Sequence, residues 1–293
     1  MIRTGVDSYA YHRYFGIVYP DQVPAQDKMT VPAFLQEADR LGAAGVSLHA
    51  SFLERLEEPY LRELAGQLEG FGFETVFAWT GNGNIEGLTG GNEQDAFAQL
   101  EHDIPLAKLM GATTVNVTGA GMRSREPGNN DILLRRLADG FKKAAEVAEK
   151  YEINLALENQ MVFTPLELLH LVEQVASDRF GISFDTGNFV RQLVDPLEAL
   201  NLLAKKTKVV YLKPVQLNPH EAGITDWYFF SGVPAGQGLV NDEAVLDLLE
   251  RAGFKGLVLY TMDHPHSEWY GREKECVGLS VHRMQAMARY AER

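Results

Sequence analysis

Apolar and polar positions along the chain follow two alternating periods. Short apolar runs bounded by turn residues occur at Arg3–Val6, Gly45–Leu48, Glu74–Ala78, Thr114–Val117, Asn154–Leu157, Gly181–Phe184, Val209–Leu212 and Gly256–Tyr260. Runs of this length with such borders predict buried strands. Between them, apolar residues recur every three or four positions, which predicts helices. The helical stretches are Val31–Leu41, Tyr60–Glu69, Glu93–Leu109, Ile132–Lys150, Pro165–Val175, Leu197–Leu203, Glu243–Arg251 and Ser267–Tyr290. The fourth is the clearest. Leu133, Leu134, Leu137, Phe141, Ala144, Ala145 and Ala148 share one face, against Arg135, Arg136, Lys142, Lys143 and Glu146.

The joints agree with this division. Glycine follows a helical stretch at Leu41-Gly42, Phe71-Gly72, Met110-Gly111 and Ala252-Gly253, where a left-handed stop is usual. Thr164-Pro165 and Asp195-Pro196 each place a capping side chain before a proline at the first helical position.

Complete strand–helix alternation predicts a single (β/α)8 barrel over residues 1–293. The rival is an open, doubly wound sheet. No glycine-rich phosphate loop follows the first strand, and Gly119-Ala120-Gly121 after the fourth is too short for a dinucleotide fingerprint. No nucleotide cofactor is expected. The long loops, Tyr9–Met29, Trp79–Asn92, Thr118–Asn130, Lys213–Asn241 and Thr261–His266, all follow strands. In a barrel they gather on the face that carries active sites.

Composition narrows the partners. Net charge is −13, from 27 basic and 40 acidic residues, which argues against binding a nucleic-acid backbone. No apolar run approaches the roughly 20 residues a membrane helix needs. The lone cysteine, Cys276, allows no internal disulfide, and the N-terminal segment reads as a strand rather than a leader. A cytoplasmic location is expected.

Two carboxylates end predicted strands: Glu158 in Leu155-Ala156-Leu157-Glu158-Asn159, and Asp185 in Phe184-Asp185-Thr186-Gly187-Asn188. A carboxylate there is costly unless paired, so the two point to a site at the barrel mouth.

Several motifs, in this order, carry a resemblance. They are Ala43-Ala44-Gly45-Val46, Ala156-Leu157-Glu158-Asn159, Phe184-Asp185-Thr186-Gly187-Asn188, Tyr211-Leu212-Lys213, Gly236-Gln237-Gly238 and Gly253-Phe254-Lys255-Gly256. Over nearly its whole length the chain resembles the xylose isomerase-like barrel family, which includes sugar isomerases and epimerases and inosose dehydratases. The resemblance implies a divalent metal held by Glu, Asp, His and Glu from strands five to eight, with the two Glu residues moving a proton through an enediolate. Glu158 and Asp185 match. Tyr211 stands at the His position, Tyr260 at the second Glu, Asn188 at a further His, and Ser47 at a second-strand Glu. A manganese or magnesium ion would then be held weakly at Glu158 and Asp185, or be lost. Strand alternation carries Lys213 to the same side as Tyr211. Its ammonium is expected to replace the metal as the counter-charge of the pair.

Other residues are assigned by position. His264 and His266 follow strand eight, and His264 is a candidate acid or base. Candidate substrate contacts are Tyr9, His12, His49, Asn116, Asn159, Asn188, Tyr211 and Tyr260, with Thr118, Gln160 and Gln216 as further polar residues near strand ends. Arg123 and Arg125 could grip an anion. The first loop is dense in rings, Tyr9, Tyr11, His12, Tyr14, Phe15 and Tyr19, and the seventh adds Trp227, Tyr228, Phe229 and Phe230. These rings suit the apolar face of a sugar or aryl group, or a contact between copies in a homo-oligomer.

The leading expectation is a sugar or polyol-ketone isomerase or epimerase, with Glu158 as base and Lys213 or a metal polarising the carbonyl oxygen. A lyase or dehydratase using the same proton abstraction is the second. A barrel that has lost its chemistry and serves as a binding or partner subunit is the third.

Overall fold

The computed structural model describes residues 2–20, 22–81, 93–117, 129–218 and 229–290. Thr118, Arg123, Arg125, Trp227 and Tyr228 lie outside these residues. Eight parallel strands close into a barrel: β1 (Arg3–Asp7), β2 (Gly45–His49), β3 (Glu74–Trp79), β4 (Ala112–Val117), β5 (Asn154–Glu158), β6 (Phe180–Asp185), β7 (Thr207–Leu212) and β10 (Leu257–Tyr260). Neighbours follow chain order, and β10 closes the ring by pairing Val258 with Val210 of β7 and Thr4 of β1.

The helices α1 (Val31–Arg40), α2 (Glu58–Phe71), α3 (Glu93–Leu109), α4 (Asn129–Lys150), α5 (Pro165–Val175), α7 (Pro196–Leu203), α8 (Asp242–Arg251) and α9 (Glu273–Tyr290) alternate with the strands. α5 begins with a reciprocal cap. Thr164 Oγ1 accepts from the Glu167 amide at 3.3 Å, and the Thr164 amide donates to Glu167 Oε2 at 2.8 Å. Pro165 follows at the first helical position, where no amide is needed.

Three elements depart from the sequence reading. A short helix α6 (Thr186–Arg191) follows β6 directly, because Asp185 caps it: Oδ1 accepts from the Asn188 amide at 2.8 Å. A hairpin of β8 (Val215–Leu217) and β9 (Phe230–Gly232) lies in the seventh loop, its strands too short to leave a period-two pattern. The expected helix at Ser267–Tyr290 splits into a tight turn at Ser267–Trp269 and α9, with Gly271 at φ 82° between them.

Two apolar cores result. Val76, Ala156, Val209, Tyr211, Leu257 and Leu259 fill the barrel, and a larger cluster packs the strands' outer faces against the helices. The inner core is thin where β1 meets β2. A Cβ on Gly5 would run into the Gly45 carbonyl, so only glycine lets these strands approach at that layer. No helix among the described residues is long and apolar enough to cross a membrane.

Candidate active site

Strand alternation fixes which side chains reach the mouth. On β5, Ala156 is inside the barrel, so Glu158 points inward at the C-terminal end. Its carboxylate is buried among amides. Oε1 accepts from Gln160 Nε2 at 2.8 Å and Asn188 Nδ2 at 3.0 Å, and Oε2 accepts from Asn116 Nδ2 at 3.2 Å. Burial and the neighbouring Asp185 push the Glu158 carboxyl up to about 7, against the pull of Lys213 and Asn116.

Lys213 follows β7 on the side of Tyr211 and reaches the same space. Its Nζ lies 2.7 Å from Asp185 Oδ2 and 3.3 Å from Asp263 Oδ2, and it donates to Asn188 Oδ1 at 3.4 Å. Burial works against the ammonium, but Asp185 and Asp263 more than offset it and hold its pKa above the ordinary lysine value. The stem crosses Gly187, where a Cβ would stand 2.8 Å from Lys213 Cγ and Cδ. The glycine of the Asp-Thr-Gly-Asn motif therefore makes room for the lysine that neutralises its aspartate.

Asp263 holds the far side of this network. Arg191 of α6 grips it through two guanidinium contacts at 2.5 and 2.6 Å, and also donates to the Phe230 carbonyl. Burial raises the Asp263 carboxyl, yet Arg191 and Lys213 hold it well below the usual range. Asp185 and Asp263 thus face Lys213 and Arg191 in an alternating cluster.

The remaining sequence candidates fall into two groups. Asn116 and Asn188 join the site, and Asn188 bridges Glu158 and Lys213. Tyr211 stands in the barrel below, its hydroxyl 2.9 Å from Ser47 Oγ, with burial pushing the phenol well above its ordinary pKa. Asn159 does not present its amide to the mouth. It clasps the backbone of Asp185, donating to the carbonyl at 3.0 Å and accepting from the amide at 2.7 Å. His12 spends both ring nitrogens, on the Tyr9 carbonyl at 2.9 Å and Gln22 Oε1 at 2.8 Å, and burial lowers its pKa.

Tyr9 stacks on His12 and on Phe52, and His49 lies tilted against Tyr9 and Phe52, so that the rings form an aromatic wall. Burial lowers His49 to about 4, so its ring is neutral. His264 is buried beside Asp263, and its ring lies 4.1 Å from that of Tyr19. Tyr19 in turn meets the Tyr9 hydroxyl at 2.8 Å. Gln216 is elsewhere, bonded to the Gln237 carbonyl.

Tyr260 requires a correction. Leu257 and Leu259 fill the barrel, so Tyr260 points outward into the helix layer. Its hydroxyl donates to the Val233 carbonyl at 3.0 Å and lies 3.2 Å from Cys276 Sγ. The inward residue at this strand end is Thr261, whose Oγ1 donates to Asp7 Oδ2 at 2.8 Å. Tyr260→Phe should lower stability by about 1 kcal/mol through the lost hydrogen bond, measured by urea unfolding. It should leave any turnover within about twofold of the parent, because the hydroxyl faces away from the mouth.

A family model described as "Xylose isomerase-like TIM barrel" matches residues 35–290. The chain belongs to the xylose isomerase-like TIM-barrel family. Solved structures share the fold at low identity. A xylose isomerase domain protein from Planctomyces limnophilus superposes with TM-score 0.74 at 16% identity, covering 99% of each chain. A D-psicose 3-epimerase from Clostridium cellulolyticum H10, solved with D-tagatose, gives TM-score 0.73 at 13% identity, again covering 99% of each chain. An uncharacterized protein of Methanocaldococcus jannaschii is 28% identical over 124 residues, which span 40% of this chain and 40% of that protein.

The donor set departs from the one the resemblance implies. Of the Glu, Asp, His and Glu that the resemblance implies as metal ligands, Glu158 and Asp185 are present, while the inward residues at the other two strand ends are Tyr211 on β7 and Thr261 just past β10. A phenol held neutral and a threonine hydroxyl are poor ligands for a hard cation. Asp185 is already in contact with the Lys213 ammonium, and the Glu158 oxygens accept from three amides. Among the described residues no cluster of three His, Cys, Asp or Glu is placed to hold a metal. These residues do not fit a divalent ion.

Asp7, Asp263 and Arg191 escaped the sequence reading. Leu257-Val258-Leu259-Tyr260-Thr261 is apolar on both faces, so nothing in it tells inward from outward. With Leu259 known to be inside, a count of two gives Thr261 and a count of four gives Asp263. Asp7 could have been found the same way, as a carboxylate ending the first strand.

Proposed function

We propose that this protein is an isomerase or epimerase of a ketose or related polyol ketone, acting by proton removal next to the carbonyl with Glu158 as base. The observation that carries the reading is the Glu158 carboxyl, buried at the mouth, raised to about 7 and facing a fixed ammonium. A base of that strength is half ionised near neutral pH and still able to accept a proton. Asn116, Gln160 and Asn188 hold it in one orientation, which lowers the cost of positioning.

Each part then has a task. The Glu158 carboxylate takes the proton from the carbon beside the carbonyl, and the electron pair moves toward oxygen. Lys213, locked by Asp185 and Asp263, places positive charge where the enediolate oxygen forms. Protonated Glu158 returns its proton to the former carbonyl carbon while the hydroxyl proton of the enediol passes from one oxygen to the other, completing an isomerisation. The aromatic wall of Tyr9, His49 and Phe52 offers flat faces to the C–H side of a sugar. The likeness of the fold to a D-psicose 3-epimerase supports the substrate class.

The test is deuterium entry from D₂O into a panel of free ketoses, followed by proton NMR. Base catalysis requires ionised Glu158, so the rate should rise with pH and level off above about 7. Below that value it should fall about tenfold per unit. A rate independent of pH from 5 to 8 would remove Glu158 from the role. Release of water or an aglycone, in place of an isomeric sugar, would move the assignment to the lyase class.

A further inference from the structure

Asp7 is a buried carboxyl to which the scheme above gives no task. It ends β1, and the ring order β1-β10-β7-β6-β5 puts that strand four places from β5, directly across the eight-stranded barrel from Glu158. Both carboxyls sit at the C-terminal strand ends and at similar depth: Asp7 is 4% exposed, Glu158 8% and Lys213 7%. Asp7 Oδ2 accepts from Thr261, and Ser47 hydrogen bonding also favours its ionised form. Among the described residues no donor makes a well-formed hydrogen bond to Oδ1, which is buried, although the Ser47 hydroxyl and the Tyr9 amide stand close enough to favour the ionised carboxyl. A buried carboxyl oxygen without a well-formed hydrogen bond needs an explanation, and a ligand group is one.

The electrostatics agree. Burial pushes the Asp7 carboxyl up to about 6, against the pull of Thr261, Ser47 and Lys213. The other groups that feel its charge are Glu158, Tyr9 and Tyr211, each of which it pushes upward. Asp7 therefore shares the field of the mouth with Glu158, yet among the described residues no cation touches it in the way Lys213 touches Asp185. The second glutamate that the resemblance implies has no counterpart at the end of β10, where the inward residue just past the strand is Thr261. That threonine supports a carboxyl contributed by the neighbouring strand.

We propose that Asp7 is the second acid–base group of the site, delivering a proton to the face of the substrate opposite Glu158, so that the reaction inverts a carbinol carbon. This rests on the reading of Glu158 as base. Glu158 breaks the C–H bond beside the carbonyl and ends protonated, leaving an enolate whose oxygen faces Lys213. The enolate pair then forms a new C–H bond on the other face with the proton of the Asp7 carboxyl. Its O–H bond breaks, the carbonyl reforms and Asp7 ends ionised. Exchange with water restores the pair, which turns over in this direction from the minority form carrying its proton on Asp7 and in the reverse direction from the form carrying it on Glu158.

Asp7→Asn separates the two half-steps. With the ketose panel in D₂O, the variant should still exchange the substrate proton within about threefold of the parent rate, while formation of the inverted epimer falls about 100-fold or more. Inversion at the parent rate in Asp7→Asn would overturn the proposal, as would a parent enzyme that isomerises ketoses without inverting any carbon.

A second measurement needs no substrate. Infrared difference spectra of protein carrying ¹³C-aspartate, between pH 5 and pH 8, should contain a protonated-carboxyl band that Asp7→Asn removes. Thr261→Val, which deletes the donor to Oδ2, should move its midpoint upward by about half a unit or more. Absence of that band overturns the acid role whatever the ketose panel shows. Its presence beside a parent inert on every ketose would sustain Asp7 as an acid and sink the sugar reading instead.

Discussion

Lys213→Met lowers the stability of the fold by about 3–5 kcal/mol, the usual cost of removing one partner from a buried charge cluster. The lysine lies between Asp185 and Asp263, and all three side chains are buried. Without it, Asp185 keeps the Asn188 amide and Asp263 keeps Arg191, but the two carboxylates lose the charge that separates them. Urea unfolding at pH 7 should show the loss as a lower midpoint with an unchanged slope.

Its pH dependence identifies the cause. The folded-state pKa of Asp263 is depressed, so its stabilisation is present above the unfolded carboxylate value of about 4 and fades as pH falls through the lower folded value. The folded-state pKa of Lys213 is raised, so its contribution is complete below the unfolded lysine value of about 10.4 and fades as pH rises through the higher folded one. The deficit of Lys213→Met should therefore be constant from about pH 5 to 9 and shrink below about pH 4. A deficit that stays constant into acid would mean that the lysine contributes through packing of its stem across Gly187.

Glu158→Gln would remove the proposed base and nearly nothing else. The shape is conserved, and the amides of Asn116, Gln160 and Asn188 can rotate to meet the new side chain. Proton transfer by a positioned carboxylate is worth about 10²–10⁴-fold, so kcat for proton exchange should fall by that factor. KM should change by less than about threefold, since on the proposed reading Lys213 and the aromatic wall are left intact to hold the ketose. The variant should also lose the rise in rate toward pH 7. If it keeps both the rate and the pH limb, Glu158 is a structural acceptor for three amides, and the barrel is a binding subunit.

The fold was legible because two periods, repeated eight times, leave few other architectures. Glycine stops at Gly42, Gly72, Gly111 and Gly253, each in a left-handed conformation, marked the helix ends as expected. Glu158 and Asp185 were legible as carboxylates that end apolar strands. Lys213 was legible by counting two from Tyr211. The mouth was less so wherever a strand is buried on both faces. β10 hides its register, and the sequence reading placed Tyr260 inside when it lies outside. Asn159 and His12 look like ligand contacts in one dimension. Only folding shows that the first holds the backbone of Asp185 and the second the turn at Tyr9. Asp263 and Arg191 were hidden for another reason. Their pairing joins residues 72 positions apart across the mouth, and nothing local announces it.

Lys213 supplies the positive charge beside Asp185 where the resemblance implies a metal. The most direct test is proton exchange on the ketose panel in D₂O, with protein stripped by a chelator and then supplied with Mn²⁺. The stripped protein should exchange at the rate of the untreated one, added Mn²⁺ should change that rate by less than about twofold, and Lys213→Met should abolish it. Exchange that disappears on stripping and returns with Mn²⁺ would contradict the central claim and give the charge at Glu158 and Asp185 back to a metal.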